Sequence, residues 1–157
     1  MRPLSARESS RGARTVWRVL RKHASVAQTL PTGCPLPERT QGRNFFTYDR
    51  TYGERSSTRQ VYDGTVRNIV GSVCSPGLNG TVFAYGQMSS GKTHTMQGSG
   101  SIEDGSSPSS NDTGGIVHMA VNDIFDNIKG ESDRVFLVRV SFIEIYNEEG
   151  EFRYGKS

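Results

Sequence analysis

The stretch Thr81-Val-Phe-Ala-Tyr-Gly-Gln-Met-Ser-Ser-Gly-Lys-Thr93 decides how this chain is read. Thr81 to Tyr85 is a short, nearly continuous apolar run, the pattern of a strand buried on both faces. It leads straight into Gly86. From Gly86 to Thr93 every fixed position of the phosphate-loop pattern G-x-x-x-x-G-K-[ST] is met. A polyphosphate carries several negative charges and many acceptor oxygens. Backbone N–H groups wrap it, and glycines are needed where the chain turns tightly and approaches closely. The helix expected from Lys92 to about Gln97 would aim its unsatisfied N–H donors at the phosphates. Lys92 adds a full charge for the β- and γ-phosphates, and the Thr93 hydroxyl can join a Mg²⁺ shell.

A chance Gly-rich turn before a helix is the competing explanation. In a chain of this length the full pattern arises by chance roughly once in two hundred. The apolar run before the loop and the helix expected after it sharpen the match further.

Periodicity around the loop predicts helices alternating with strands, which argues for an α/β fold with a largely buried sheet. Phe45-Phe-Thr-Tyr48 reads as a short aromatic strand. Ser57 followed by Gln60 has the spacing of a capping box. Val61, Tyr62, Val66, Ile69, Val70 and Val73 then mark one face of a helix, ending near Pro76-Gly77. Gly64 within it costs roughly 1 kcal/mol against Ala. Val117, Ala120, Val121, Ile124, Phe125 and Ile128 mark a second helix, with Lys129-Gly130 a suitable end. Val135 to Tyr146 is a long strand candidate. Gly98 to Gly114, dominated by Ser, Gly, Asp and Asn, is expected to be a flexible surface loop.

The residues before Asn44 differ in character. Met1 to Arg43 holds nine Lys/Arg and two Asp/Glu, so the basic excess of a chain with net charge +3 belongs to this segment alone. Pro31, Gly33, Pro35 and Pro37 punctuate it, and much of it is expected to be loop. Val16-Trp-Arg-Val-Leu20 fits either a strand or a helical turn. The composition fits a solvated basic stretch, a mitochondrial presequence or a polyanion patch. No aromatic interleaving favours nucleic acid, and no partner of that kind is expected. No run approaches the roughly 20 apolar residues of a membrane span, so no membrane partner is expected either. Cys34 and Cys74, with His23, His94 and His118, show no metal-ligand spacing.

Asn79 to Met96 resembles the signature of kinesin motor domains. Further matches follow the family's order. Arg2-Pro-Leu4 resembles the end of its Arg-x-Arg-Pro element, and Tyr48-Asp-Arg50 and Gln60-Val-Tyr62 resemble the segment before the phosphate loop. Gly115-Ile116 with Asp123-Ile-Phe125 resembles the distal half of its second helix. Val138 to Glu148 resembles the strand and turn after that. The likeness is dense from Asn44 to Glu149 and thin from Ser5 to Arg43.

The resemblance implies a P-loop NTPase fold of the kinesin motor type, a central sheet flanked by helices. It implies ATP and Mg²⁺ held by Gly86, Gln87, Met88, Ser89, Ser90, Gly91, Lys92 and Thr93, with Lys92 and Thr93 catalytic and Thr93 the metal ligand. Arg2, Pro3 and His94 would lie beside the adenine. Microtubules would be the partner, and the cytoplasm and cytoskeleton the location. The Gly98–Gly114 stretch falls where kinesins carry a variable loop interrupting their second helix. Residues 1–43 would start the motor domain, 44–149 form its core, and 150–157 be a divergent tail.

Met88 stands where many kinesins have Thr, a position where backbone contributes more than side chain. The family's two switch runs, of Asn-x-x-Ser-Ser-Arg-Ser-His and Asp-Leu-Ala-Gly type, do not occur. The chain starts inside the Arg-x-Arg-Pro element and departs from the family pattern after Glu149. A truncated motor domain, unstable or inactive by itself, is therefore the expectation. A small P-loop kinase or GTPase fits less well: such chains usually place the loop after their first strand, and no Asn-Lys-x-Asp guanine reader occurs. Nucleotide binding without turnover, and polyanion binding by the basic segment, are the remaining alternatives.

Overall fold

The computed structural model describes residues 1, 3–20, 24–29, 45–75, 77–98, 114–146 and 149–153. Arg2, His23, Cys34, the Pro31–Pro37 punctuation, Pro76, most of the Gly98–Gly114 stretch and the last four residues lie outside them. No helix among the described residues is long and apolar enough to cross a membrane.

The centre of the molecule is helical. Ser57 starts α2 (Thr58–Val61) as expected: its hydroxyl accepts from the Gln60 N–H at 3.2 Å, and the Gln60 side chain accepts from the Ser57 N–H at 3.1 Å. A π-turn over Tyr62–Val66 follows, closed by the Arg67 N–H bonding the Tyr62 carbonyl, and it runs into α3 (Arg67–Cys74). The widened turn contains Gly64. A β-carbon there would overlap the Tyr52 hydroxyl, so this glycine, unfavourable by helix propensity, admits the Tyr52 side chain. The turn also brings Tyr62, Val66 and Val70 to one side, spaced four residues apart.

Those three side chains pack against Ile116 and Met119 of α5 (Ile116–Gly130) and form the buried core. Val82, and Met96 of α4 (Lys92–Gln97), pack against its edge. The predicted apolar face of α5 is only half used. Val117, Val121 and Phe125 are exposed, while Ile116 and Met119, one and two positions from Val117, are buried. An apolar stripe wider than the contact it makes leaves its flank open to solvent.

A polar chain crosses the helix pair. The Tyr62 hydroxyl, on a residue with no exposed surface, donates to Asp123 Oδ2 at 2.7 Å. Arg67 Nε reaches the same oxygen at 3.3 Å, with its guanidinium 5.7 Å from the Tyr62 ring centroid. Arg67 also pairs with Asp63 at 3.2 Å, and Arg59 with Asp63 at 3.1 Å. Burial first, then the hydrogen bond to Asp123, pushes the Tyr62 phenol well above its usual range.

The sheets differ from expectation. In place of one central buried sheet, the described residues form two small antiparallel ones. β1 (Trp17–Leu20), β2 (Ser25–Gln28) and β3 (Phe45–Thr47) pair in that order, with Val19 opposite Val26 and Val26 opposite Phe46. Ser25 and Ala27 are buried, and the Trp17 and Phe46 rings meet at 5.8 Å. A short helix, α1 (Ala6–Ser10), precedes them on a capping box between Ser5 and Glu8. The described part of the basic segment thus holds a helix and two strands that its lack of periodicity did not announce.

Two predicted strands are corrected. Thr81–Tyr85 is not part of a sheet, and Phe83 and Tyr85 are 81% and 94% exposed. No described strand lies beside it, and an apolar run becomes a buried strand only where other elements cover it. Of Val135–Tyr146, only β4 (Phe142–Tyr146) is strand; it pairs with β5 (Glu149–Arg153), with Ile143 opposite Phe152. Val135, Leu137 and Val140 before it are exposed.

The raised Tyr62 phenol sets a pH dependence. The folded state holds the proton more tightly than the unfolded chain, so this stability is complete below the ordinary tyrosine value of about 10 and fades as pH rises above it. Thermal melting of the wild type should lose midpoint above about pH 10. Tyr62→Phe should lack that component while starting about 1 kcal/mol less stable at neutral pH.

Candidate nucleotide-binding site

The loop from Gly86 to Gly91 joins the extended segment Thr81–Tyr85 to α4. Ser90 N–H bonds the Gln87 carbonyl at 3.2 Å, closing a tight turn. Ser89 takes a left-handed φ of 60°, and Gly91 one of 100° at the N-cap of α4. The second is a backbone state that side chains resist, which explains the fixed glycine of the motif at this place. Ser90 Oγ lies against the α-carbon of Gly86, where a β-carbon would crowd it.

Helix α4 then begins with Lys92 and Thr93. Its first full turn is closed by Thr95 N–H to the Gly91 carbonyl at 3.0 Å. No side chain caps its N-terminus, so its leading amides face outward without an internal acceptor. Lys92 folds back over the loop. Its Nζ donates to the Gly86 carbonyl at 2.7 Å and the Gln87 carbonyl at 2.8 Å. The ammonium thereby ties the two ends of the loop together and holds a positive charge at its rim. Met88 projects into solvent at 91% exposure, consistent with a position whose backbone matters more than its side chain.

Two concavities adjoin the loop. A depression of about 230 Å³ is lined by Ser89, Gly91, Lys92, Thr93 and His94. A larger trough of about 750 Å³ runs along Thr81–Tyr85 and reaches Ser90 and Lys92, with Met1, Asp49 and Thr65 on its wall. The depression is the candidate phosphate end, since Ser89, Gly91, Lys92 and Thr93 of the motif line it. The trough is the open flank of the unpaired segment, with α2 and α3 residues on its far side. Of the residues expected near the adenine, His94 lines the depression, Pro3 is exposed and lines neither concavity, and Arg2 lies outside the described residues. Among the described residues no group of three His, Cys, Asp or Glu side chains converges to hold a metal without a ligand's help.

The family resemblance made α4 and α5 the two halves of one interrupted helix, but not the bond that joins them. Gly115 N–H donates to the Gln97 carbonyl at 3.1 Å, joining the end of α4 to the start of α5 across the intervening stretch. Nothing local in the sequence marks that junction, because its partners are brought together by folding.

An apolar segment entering a glycine-rich turn, a lysine over the turn and a helix behind it are the arrangement of a P-loop fold. A kinesin motor domain model matches residues 1–151. Kinesin-like protein KIN-7G of Oryza sativa subsp. japonica is 40% identical over 147 residues, covering 94% of this chain and 14% of that protein. Kinesin-like protein KIN-7C, mitochondrial, of Arabidopsis thaliana shows the same identity and coverage. Kinesin-like protein KIN-7O of Arabidopsis thaliana is 47% identical over 104 residues, 66% of this chain and 7% of that protein. The chain belongs to the kinesin motor domain family, and it spans about one seventh of the length of the first two relatives.

Gly91 tests the loop geometry directly. Gly91→Ala places a β-carbon on a backbone at φ 100° and should destabilise the chain by about 1–3 kcal/mol, read by urea denaturation, with loss of Mg-ATP binding in titration.

Proposed function

We propose that this chain binds ATP with Mg²⁺ at Gly86–Thr93, as the nucleotide site of a microtubule motor. The observation that carries the reading is the Lys92 ammonium held over the loop by two carbonyls, next to the uncapped start of α4. The backbone of Gly86, Gln87, Met88, Ser89, Ser90 and Gly91 would surround the phosphates, with the Ser90 amide bonded to the Gln87 carbonyl. Lys92 would stabilise the β- and γ-phosphates, and the Thr93 hydroxyl would join the metal shell. The residues fit the group: Lys92 with its ammonium and Thr93 with its hydroxyl line one depression at the uncapped start of α4. Bound magnesium supplies charge neutralisation between the phosphates.

His94, with Pro3 and Arg2, is assigned to the adenine end on family resemblance. Family membership supports ATPase chemistry and association with the cytoskeleton, with the microtubule as partner. Phosphoryl transfer also needs groups that place the attacking water, and the sequence contains neither switch run. We therefore assign to these 157 residues nucleotide binding without sustained turnover.

Titration of the full chain with Mg-ATP should show saturable binding, and phosphate release should stay at background. Lys92→Ala should weaken binding at least about thirty-fold, the loss of a charge-assisted contact. Unchanged affinity in Lys92→Ala would remove the site; steady turnover by the wild type would remove the binding-only assignment.

A further inference from the structure

Helix α4 has six residues, with Lys92 and Thr93 at its start. A helix this short has no stability of its own in water. The direction in which it presents Lys92 and Thr93 is therefore set by whatever grips its far end. That grip is α5. Gly115 N–H bonds the Gln97 carbonyl at 3.1 Å, and Met119 N–H bonds the Gly115 carbonyl at 3.2 Å, so the hydrogen-bond ladder passes from one helix into the other. Gly115 sits so close to the Met96 carbonyl and the Gln97 backbone that a β-carbon would overlap them.

What orients α5 is a separate matter. Ile116 and Met119 press against Val66 and Val70, but apolar contact is non-directional. It resists separation of the helices far more than rotation of one about its own axis. The directional contact is the hydrogen bond from the buried Tyr62 hydroxyl to Asp123 Oδ2, 2.7 Å long and spanning 61 residues of sequence. Arg67 Nε, at 3.3 Å from the same oxygen, holds the carboxylate from a second side.

We infer that Tyr62 and Asp123 are positioning residues for the nucleotide site: their hydrogen bond sets the rotation of α5, and α5 sets the start of α4. Neither residue touches the phosphate loop. Their effect on ligand affinity passes through the Gln97–Gly115 junction. The inference rests on Gly86–Thr93 being the phosphate site, and it assigns to the helix pair a role in ligand affinity beyond its role in holding the fold.

The test compares Mg-ATP affinity, by displacement of a fluorescent ATP analogue, with melting midpoint across variants of the full chain. Tyr62→Phe keeps the buried ring and removes only the hydroxyl. It should bind Mg-ATP about five-fold more weakly, the scale of one hydrogen bond. Asp123→Ala should lose at least as much, and the double variant should be no worse than Asp123→Ala alone, because one contact is being removed twice. Phe46→Ala, in the separate three-stranded sheet where its ring meets Trp17, removes packing away from the helix pair and should melt lower than Tyr62→Phe while keeping wild-type affinity. Gly115→Ala, which breaks the junction, should lose affinity as Tyr62→Phe does. Wild-type affinity in Tyr62→Phe, or an equal affinity loss in Phe46→Ala, would overturn the positioning role while leaving the phosphate site standing. Failure of the wild type to bind Mg-ATP would overturn both.

Discussion

The burial of Tyr62, Val66 and Val70 against Ile116 and Met119 is the contact on which the other described parts of the site depend. Each such side chain, fully buried, contributes roughly 1.5–3 kcal/mol. The six-residue α4 gains its place from this cluster through Met96 and through the junction with α5. The ion pairs on the outer surface add little by comparison. Arg59 and Asp63 are both more than 40% exposed, and an exposed pair at this helical spacing is worth about 0.3–0.5 kcal/mol. Tyr62 differs, since its hydroxyl is held where an unmade bond would cost the full desolvation of a buried polar group.

The loop itself is stabilised by a different kind of contact. A lysine ammonium and two backbone carbonyls lock a turn in which the left-handed Ser89 would otherwise be disfavoured. The Gly86 and Gln87 carbonyls both accept from Lys92, and the Gln87 carbonyl also accepts from the Ser90 N–H. The loop thereby presents positive charge, and an anion is the ligand that such a surface suits.

Where the apolar sequence lacks a covering element, it lies open. Phe83, Tyr85, Val135 and Leu137 all expose most of their surface. These are the residues whose composition reads as buried strand. Their exposure follows from strand burial being a property of the assembly around a segment. The stripe Val117, Val121 and Phe125 on α5 obeys the same logic.

The sequence by itself determined the glycine-lysine motif from Gly86 to Thr93, the start of α2 at Ser57, the extent of α5 and the family. Each is written locally: the loop in fixed glycines and a lysine, the helix start in a side chain three residues from its partner, α5 in a 3.6-residue period. Tertiary structure alone decided that Thr81–Tyr85 stays unpaired, that Ser25–Gln28 becomes the middle strand of a sheet, and that Gly64 is required by Tyr52. It also decided that Tyr62 meets Asp123 and that Gly115 closes on Gln97. Strand pairing, close backbone approach and buried hydrogen bonding draw their energy from partners far along the chain, and no local pattern of residue types encodes which distant groups will meet.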